Sequence, residues 1–487
     1  MKKNVLSIWR AVACYCSTLL AQPDTLWTKT FGGVDRDYGY CVQETFDGGY
    51  IIVGSTNSFG AGSSDAWLIK TDLLGDTLWT KTYGDTGFES GKFVQQTQDK
   101  GFIITGYKTS AGLKTDVYLI RTDSLGNMRW SKTYKRVFAD NRGYCVQQTI
   151  DGGYIIVGEG GWLIKTDSLG DTLWTKVFKG MDDDIGYSIQ ETSGRGFIIM
   201  GSTSSFGAGW YDFWLIRTDG NGDTIWTRTY GDTGWESGQF GCQTSDSGFI
   251  MTGYTDSYGA GEDDVWLVRA DKNGNKLWDK TFGGIFADKG CFVQEISDSG
   301  FIITGATDSY GVGGLDIWVI RTDRNGNKLW DKTFGGTAMS FEWGHCVRQT
   351  SDGGFIVVGE KEQDVWLIKI MPETGVEENK KFKVQDAKLD CYPNPFIRST
   401  VISYQLPDRL LTTNNQQLTT ISLKIYDMAG NLIHTLVDKE MKPGHYSITW
   451  NPACRGERPF APTPPGIYFA KLNTRTHNLT KKLILLR

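Results

Sequence analysis

The sequence predicts an all-β chain: a seven-bladed β-propeller followed by a small β-sandwich. Four short phrases rich in β-branched and aromatic residues recur seven times, and glycine-containing turns separate them. From residue 390 the chain changes to a different set of alternating strand patterns. The 61 glycines, the 11 prolines and the 13% of aromatic residues are typical of short strands joined by tight turns.

Each repeat contains four phrases, which we label strands A to D from the centre of the predicted propeller outward. In the first repeat they are CVQET (41–45), GGYIIVG (48–54), DAWLIKTD (65–72) and DTLWTKTYGD (76–85). The tryptophan of strand D marks every copy: Trp27, Trp79, Trp130, Trp174, Trp226, Trp278 and Trp330. Four strands in each of seven repeats match propeller blades, which protect sheet edges by radial packing. An open β-solenoid is the alternative.

The two ends of the repeat region decide between these folds. The seventh repeat has strand A (345–350), strand B (353–359) and strand C (364–370), but no strand D follows Ile370. An unmatched strand D, DTLWTKTFGG (24–33), instead precedes the first repeat. We expect residues 24–33 to complete the last blade and close the ring, an arrangement for which an open solenoid has no use.

Composition and the N-terminal residues indicate an exported protein. Residues 1–21 contain two lysines, an apolar run and Ala21 at a plausible cleavage point, the layout of a signal peptide. No other segment is long and apolar enough to span a bilayer. A net charge of −5 without a basic stripe argues against nucleic acid as a partner.

Nine cysteines include two in the predicted signal peptide, so cleavage leaves an odd number. Cys41, Cys145 and Cys346 occupy the same position of three repeats. We expect them to be small buried core residues that are kept apart in different blades.

The sequence divides into a propeller at 24–371, a polar linker at 372–389 and a C-terminal domain at 390–487. The motifs YPNPF (392–396), IYDMAGNLI (425–433), GIYFAKL (466–472) and KKLILLR (481–487) resemble the C-terminal (type A) sorting domain of type IX secretion cargo. The resemblance implies an Ig-like fold, the type IX secretion machinery as a partner, and a secreted protein or one attached to the outer surface. The propeller repeats resemble those of bacterial cargo of this kind, which implies a fold but no activity.

The B–C and D–A connections are longer and more varied than the tight A–B and C–D turns, so we expect ligands on the B–C/D–A face. Two sets of carboxylates border that face. The first precedes strand A, and its members are Asp37, Glu89, Asp184, Glu236, Asp288 and Glu342, with Asn141 in the third repeat. The second precedes the strand C aromatic, and its members are Asp65, Asp116, Asp212, Asp264, Asp316 and Asp364.

The first set has two interpretations. Six carboxylates at a channel mouth could hold Ca²⁺ or a cationic or sugar ligand. Alternatively, each acid accepts backbone N–H bonds within its own loop and recurs because the loop recurs. The second interpretation is favoured, because a site usually breaks the symmetry of a repeat whereas structural residues follow it. The pattern suggests no cofactor other than Ca²⁺.

Aromatic residues in the same loops add to the candidate site. Trp210, Trp235 and Trp343 do not belong to the repeated tryptophan series, and Phe59, Phe206, Tyr258 and Tyr310 recur in the B–C loops. Exposed aromatic rings beside acids could stack on sugar rings, although such residues more often pack within the fold.

The sequence singles out no catalytic residue. His345 is the only histidine in the propeller, and the chain contains no GxGxxG or phosphate-binding loop. We therefore expect a binding or interaction module with an extracellular ligand such as a glycan or a protein. The alternatives are a secreted polysaccharide or peptide hydrolase that uses the B–C/D–A face, and a structural surface component with no small ligand.

Overall fold

The computed structural model divides the chain into two compact units, Met1–Val376 and Glu377–Arg487. It describes residues 22–109, 114–137, 139–192, 194–336, 341–373, 388–392, 400–406, 419–428, 430–441, 444–451, 464–474 and 478–486. The predicted signal peptide lies outside these residues, as do most of the predicted linker and most of YPNPF. The described residues include no helix with the length and hydropathy of a membrane span.

The first unit consists of seven four-stranded antiparallel sheets, and each sheet is one blade of a propeller. The first three blades, in chain order, are formed by β2 (Asp37–Glu44), β3 (Tyr50–Thr56), β4 (Asp65–Thr71) and β5 (Thr77–Tyr83); β6 (Glu89–Gln96), β7 (Phe102–Thr109), β8 (Thr115–Thr122) and β9 (Met128–Tyr134); β10 (Gly143–Gln148), β11 (Tyr154–Gly158), β12 (Trp162–Thr166) and β13 (Thr172–Val177).

The next three blades repeat this arrangement of strands A to D. They are formed by β14 (Asp184–Glu191), β15 (Phe197–Thr203), β16 (Asp212–Thr218) and β17 (Thr224–Tyr230); β18 (Glu236–Gln243), β19 (Phe249–Thr255), β20 (Asp264–Ala270) and β21 (Lys276–Phe282); β22 (Asp288–Glu295), β23 (Phe301–Thr307), β24 (Asp316–Thr322) and β25 (Lys328–Phe334).

The seventh blade joins the two ends of the propeller sequence. It contains β26 (Trp343–Gln349), β27 (Phe355–Lys361) and β28 (Asp364–Ile370), and its fourth strand is β1 (Thr25–Phe31). β1 pairs antiparallel with β28, with Thr28 opposite Ile368 and Phe31 opposite Val365. The first strand of the chain therefore completes the last blade through main-chain hydrogen bonds.

The core lies between the blades. Strands B and C are buried on both faces, as in β3 and β4, whereas strand D alternates between exposed and half-buried residues. Each strand D tryptophan packs on the strand B aromatic of the next blade with ring centroids about 6 Å apart; the pairs are Trp27–Tyr50, Trp79–Phe102, Trp130–Tyr154, Trp174–Phe197, Trp226–Phe249, Trp278–Phe301 and Trp330–Phe355. Trp27 of the seventh blade makes this contact with the first blade, so the ring closes with the same contact that joins its other blades.

The three cysteines at the same repeat position are buried, as expected, and form no disulfide. The expectation that they are kept apart was wrong for two of them. Cys41 and Cys346 lie in adjacent blades, because blade 7 packs on blade 1, and Cys346 Sγ donates to Val42 O (3.7 Å), the carbonyl of the residue after Cys41.

The second unit contains two antiparallel sheets that form a small β-sandwich. The first sheet comprises β29 (Lys388–Tyr392), β30 (Thr400–Leu406) and β33 (Gly444–Trp450). The second comprises β31 (Thr419–Asp427), β32 (Leu432–Met441), β34 (Gly466–Thr474) and β35 (Asn478–Leu485). Ile402, Trp450, Leu423 and Leu472 contribute to the core from both sheets. The GIYFAKL motif lies in β34, and IYDMAGNLI spans the β31–β32 hairpin.

Candidate functional site

The B–C and D–A connections lie on one face of the propeller and hydrogen-bond to each other. The D–A residue Asp35 donates its N–H to Ser58 Oγ of a B–C loop (3.0 Å), and Asn57 N donates to Arg36 O (3.0 Å). A second type of contact links neighbouring blades, where Trp210 N of a B–C loop donates to Gly234 O of the next D–A connection (2.9 Å). These contacts pair neighbouring loops on the B–C/D–A face.

The six carboxylates of the first set lie beneath this surface, and none of them is more than 2% exposed. Asp37 accepts hydrogen bonds from Gly33 N (2.8 Å) and Ser58 Oγ (2.7 Å). Glu236 accepts from Asp232 N (2.9 Å) and Thr255 Oγ1 (3.0 Å). Asp184 and Asp288 bond to their D–A loops in the same way. These contacts are the ones expected if each acid accepts hydrogen bonds within its own loop and recurs because the loop recurs.

Carboxylates of the second set accept hydrogen bonds from backbone N–H groups of the B–C loops. Asp65 accepts from Ala61 N (3.0 Å) and Gly62 N (3.1 Å), and Asp212 accepts from Ala208 N (3.0 Å). Asp264 and Asp316 bond to the corresponding N–H groups of their own loops.

The two sets meet at the junctions between blades. Gly84 of the first D–A loop lies between Asp65 and Glu89, so that a Cβ at this position would collide with both carboxylates. The same arrangement recurs at Gly231, between Asp212 and Glu236. Burial, and then repulsion by Glu236, raise the pKa of Asp212. Each such junction therefore buries two carboxylates side by side.

These acids do not form a recognisable metal centre within the described part of the chain. No group of three or more histidine, cysteine, aspartate or glutamate side chains there has a metal-binding arrangement. In the third blade Asn141 replaces the acid, and Arg136 Nε donates to its Oδ1 (2.9 Å). The ring of carboxylates is thus interrupted by an amide that bonds to a guanidinium.

Two of the three off-pattern tryptophans come together on the surface. The Trp210 and Trp235 rings are nearly parallel, with an interplanar angle of 7° and centroids 6.5 Å apart. Tyr211 stacks on Trp235 at 5.0 Å. Trp210 is 72% exposed and Trp235 42% exposed. We call these three residues the aromatic platform.

A surface cavity of about 710 Å³ adjoins the aromatic platform. Trp210 and Tyr211 form one wall, and Asp182 and Asp183 of the D–A connection before β14 lie in its lining. Both carboxylate residues are exposed. The cavity therefore combines aromatic surface with hydrogen-bond acceptors, the combination expected for a ligand rich in hydroxyl or amide groups.

The recurring B–C aromatics pack on their own blades, although Phe59, Phe206 and Tyr310 remain partly exposed. Phe59, Phe206, Tyr258 and Tyr310 each pack on the strand C tryptophan of their own blade, at centroid distances of 5.5, 5.7, 5.4 and 5.2 Å. Trp343 lies apart from the platform, at the start of β26 in the seventh blade, where its Nε1 donates to Cys291 Sγ (2.9 Å).

Sequence reasoning missed a set of residues at the mouth of the central channel. They follow the strand A glycine of each blade: Tyr40, Lys92, Tyr144, Tyr187, Gln239, Cys291 and His345. The signal that could have revealed them is the lack of a common residue type at this position, directly after a glycine that recurs in all seven repeats. Trp343 and His345 line the same 420 Å³ cavity as Tyr40 and Tyr254.

The closed ring of seven blades and the separate sandwich define the class of the chain as a two-domain β-propeller protein. Residues 390–486 match the family model described as "Secretion system C-terminal sorting domain". The chain is therefore a β-propeller protein sorted by type IX secretion, and it is extracellular or attached to the cell surface. The sorting domain implies an interaction with the secretion machinery.

Several solved structures are similar to the chain at low identity. Sqt1 of Chaetomium thermophilum is 11% identical, with 72% of this chain and 100% of that chain covered and a TM-score of 0.44. YCF48 from Cyanidioschyzon merolae is 10% identical, with 71% and 99% covered and a TM-score of 0.43. BamB from Moraxella catarrhalis is 12% identical, with 79% and 96% covered and a TM-score of 0.34. A comparison with curated proteins gives no match.

Proposed function

We propose that the chain is an extracellular binding module whose propeller binds glycans on the aromatic platform. The observation that carries this proposal is the parallel, solvent-exposed pair of Trp210 and Trp235. Large aromatic side chains that remain exposed in a folded protein often mark ligand or partner sites. The apolar faces of sugar rings pack on indole rings, and sugar hydroxyls would donate hydrogen bonds to Asp182 and Asp183.

The platform also breaks the symmetry of the repeat, as expected of a site. The D–A phrase GDTGFESG of the second blade recurs as GDTGWESG in the fifth, so Phe88 is the counterpart of Trp235. The B–C loop beside Phe88 presents Ser64, whereas the loop beside Trp235 presents Tyr211. Of these two junctions, the one at Trp235 carries stacked aromatic rings on both sides.

A secreted hydrolase that uses this face is the second candidate. The adjacent carboxylates of Asp182 and Asp183 beside the platform are the observation in its favour, because glycosidases act through pairs of carboxyl groups. Under this alternative the platform would position the substrate, and one of the two aspartates would have to act as an acid.

The test uses the mature chain, residues 22–487, on a glycan and peptide array. Trp210→Ala and Trp235→Ala should each weaken binding to any neutral glycan hit by about tenfold, equivalent to about 1.4 kcal/mol. Phe88→Ala is the matched control, since Phe88 is 54% exposed in the equivalent loop but belongs to no platform. Binding of neutral glycans that survives both tryptophan substitutions would refute the proposal. Release of reducing ends or new amino termini from array hits would identify the hydrolase instead.

A further inference from the structure

The residue types at the mouth of the central channel vary from blade to blade, as expected of a ligand-binding site. The residue after the strand A glycine lies at one level around the channel in all seven blades, because each blade has the same register and bulge. The preceding glycine is present in all seven blades, as are the strand D tryptophans. At this level the side chains are instead phenol, amine, amide, thiol and imidazole.

The channel is blocked below this level. Phe93 and Phe240, from the second and fifth blades, stack across it with ring centroids 6.5 Å apart, and Phe292 stacks on Phe240 at 3.9 Å. The Arg348 guanidinium lies 4.5 Å from the Phe292 ring. The cavities above and below have volumes of about 420 and 410 Å³ and share no lining residue. Above Phe93 and Phe240 the channel mouth is therefore a closed depression and not part of an open pore. We call this depression the cup.

The acids of the cup already have partners. Tyr144 Oη donates to Glu159 Oε2 (2.8 Å), and His345 Nε2 lies 2.7 Å from Glu360 Oε1. Lys289 pairs with Asp263 at 2.9 Å, and its Nζ lies 4.4 Å from the Tyr254 ring centroid.

Lys92 has no such partner. Among the described residues no carboxylate lies within ion-pair distance of its Nζ, which instead lies 3.3 Å from the Tyr40 ring centroid and 5.7 Å from that of Tyr107. The Arg142 guanidinium, 5.4 Å from the Tyr107 ring centroid, faces the same side of the channel. Burial and then repulsion by Arg142 lower the pKa of Lys92 to about 7, while Glu360 opposes the shift. Two basic groups thus lie on one side of the channel mouth, and within the described part of the chain neither is joined to a carboxylate by an ion pair.

We propose that the cup is a second binding site, independent of the aromatic platform, for a carboxylated sugar such as a uronic acid. Its carboxylate would lie between Lys92 and Arg142, and its ring would pack on Tyr40. The hydroxyl groups of Tyr144 and Tyr187 and the amide of Gln239 supply hydrogen-bond partners for sugar hydroxyls.

Protonation of Lys92 gives the site a distinctive pH dependence. A bound carboxylate favours the ammonium form, so binding is strongest below the pKa of free Lys92 and weakens as the pH rises through about 7. The groups that face Lys92 are Tyr40 on β2, Tyr107 on β7, Arg142 before β10 and Glu360 on β27. Burial raises the pKa of Tyr40, so Tyr40 remains neutral through this window.

The experiment measures binding of glucuronate, glucose and sulfate to residues 22–487 by calorimetry at pH 6.0 and pH 8.5. We expect glucuronate to bind at least tenfold more tightly than glucose or sulfate at pH 6.0, and to weaken about tenfold at pH 8.5. Lys92→Met should abolish binding. Lys92→Arg should retain binding and lose most of its pH dependence, because arginine stays charged.

Lys81→Met on the outer strand β5 and Trp210→Ala on the platform are the controls, and neither should change glucuronate binding. Equal affinity for glucose, equal affinity for sulfate, or full binding by Lys92→Met at pH 6.0 would overturn the proposal. Should Lys92→Met misfold, a pH dependence in Lys92→Arg equal to that of the parent chain would overturn it as well. If the aromatic platform does not bind glycans, these glucuronate measurements would be unchanged, so the two proposals can fail separately.

Discussion

Replacing Gly194 by aspartate should stabilise the propeller, because blade 4 lacks an ion pair that the other six blades have. In those blades a buried strand C cation binds the aspartate of its own A–B turn; the pairs are Lys70–Asp47, Arg121–Asp99, Lys165–Asp151, Arg269–Asp246, Arg321–Asp298 and Lys369–Asp352. Blade 4 keeps the cation as Arg217 but has Gly194 where blade 5 has Asp246. Arg217 Nη1 is buried without a hydrogen-bond partner.

The local geometry accepts the substitution. A Cβ at Gly194 would lie 3.5 Å from Arg217 Nη2, an ordinary van der Waals distance, and the Gly194 backbone is not in the left-handed region. Burial lowers the pKa of Arg217, so its charge is incompletely compensated in the native protein. An aspartate at residue 194 would place a carboxylate beside this guanidinium, as Asp246 does for Arg269.

The expected gain is about 1–2 kcal/mol in the free energy of unfolding. A hydrogen bond to a charged group contributes about 1.5–3 kcal/mol, but solvent screening reduces this, since the equivalent Asp246 side chain is 67% exposed. Loss of glycine freedom in the unfolded chain adds about 0.4–1 kcal/mol. For a unit of this size the melting temperature should rise by about 1–3 °C.

Differential scanning calorimetry at pH 7 measures the effect, with Gly194→Ala as the control for glycine entropy alone. Asp246→Gly in blade 5 should lower the melting temperature by a similar amount. Hydrogen bonding to Thr244 and the charge of Arg269 lower the pKa of Asp246, so this stabilisation is present above the unfolded pKa near 4 and is lost as the pH falls below it. Equal melting temperatures for Gly194→Asp and Gly194→Ala would refute the reasoning.

Three further outcomes are expected. Deleting residues 24–33 removes β1 from blade 7 and should lower the melting temperature by more than 10 °C, since it exposes the edge of β28 and Tyr50; normal thermal unfolding would disprove ring closure. Millimolar Ca²⁺ should leave the melting temperature unchanged, because Asp37 and Glu236 already accept hydrogen bonds from their own loops, and a clear rise would favour the calcium interpretation. A chain that ends at residue 387 should accumulate in the periplasm, and its normal display at the cell surface would argue against sorting by residues 390–486.

The sequence was sufficient for the fold because the repeat fixes both strand identity and strand number. Each copy combines period-2 strands with glycine turns, and the position of the unmatched strand D shows where the ring must close. The C-terminal sandwich was predictable from ordered motifs and alternating patterns. Both predictions rest on local features, which a single sequence displays directly.

The site was less predictable, because it depends on contacts between blades. The two sets of carboxylates were visible as separate series, but only the folded ring places Asp212 beside Glu236 of the next blade. Trp210 and Trp235 are neighbours for the same reason, whereas Trp343 begins strand β26 in another blade. The position of a residue within its repeat determines its height along the channel axis and the face of the propeller on which it lies. The residues that its side chain contacts depend on the neighbouring blade.

Symmetry separates structural from functional residues in this propeller better than residue chemistry does. The carboxylates have the chemistry of a metal site, yet they recur with the repeat and bond to loops that also recur. The channel residues are ordinary side chains individually. Yet the position after the strand A glycine holds Lys92 in one blade and His345 in another, whereas the glycine itself recurs in every blade. A side chain required for folding must be present in nearly every blade, since each blade has the same packing problem. A side chain that contacts a ligand need occur only where the ligand lies, and this is why the platform and the cup, and not the ring of acids, are the sites to test.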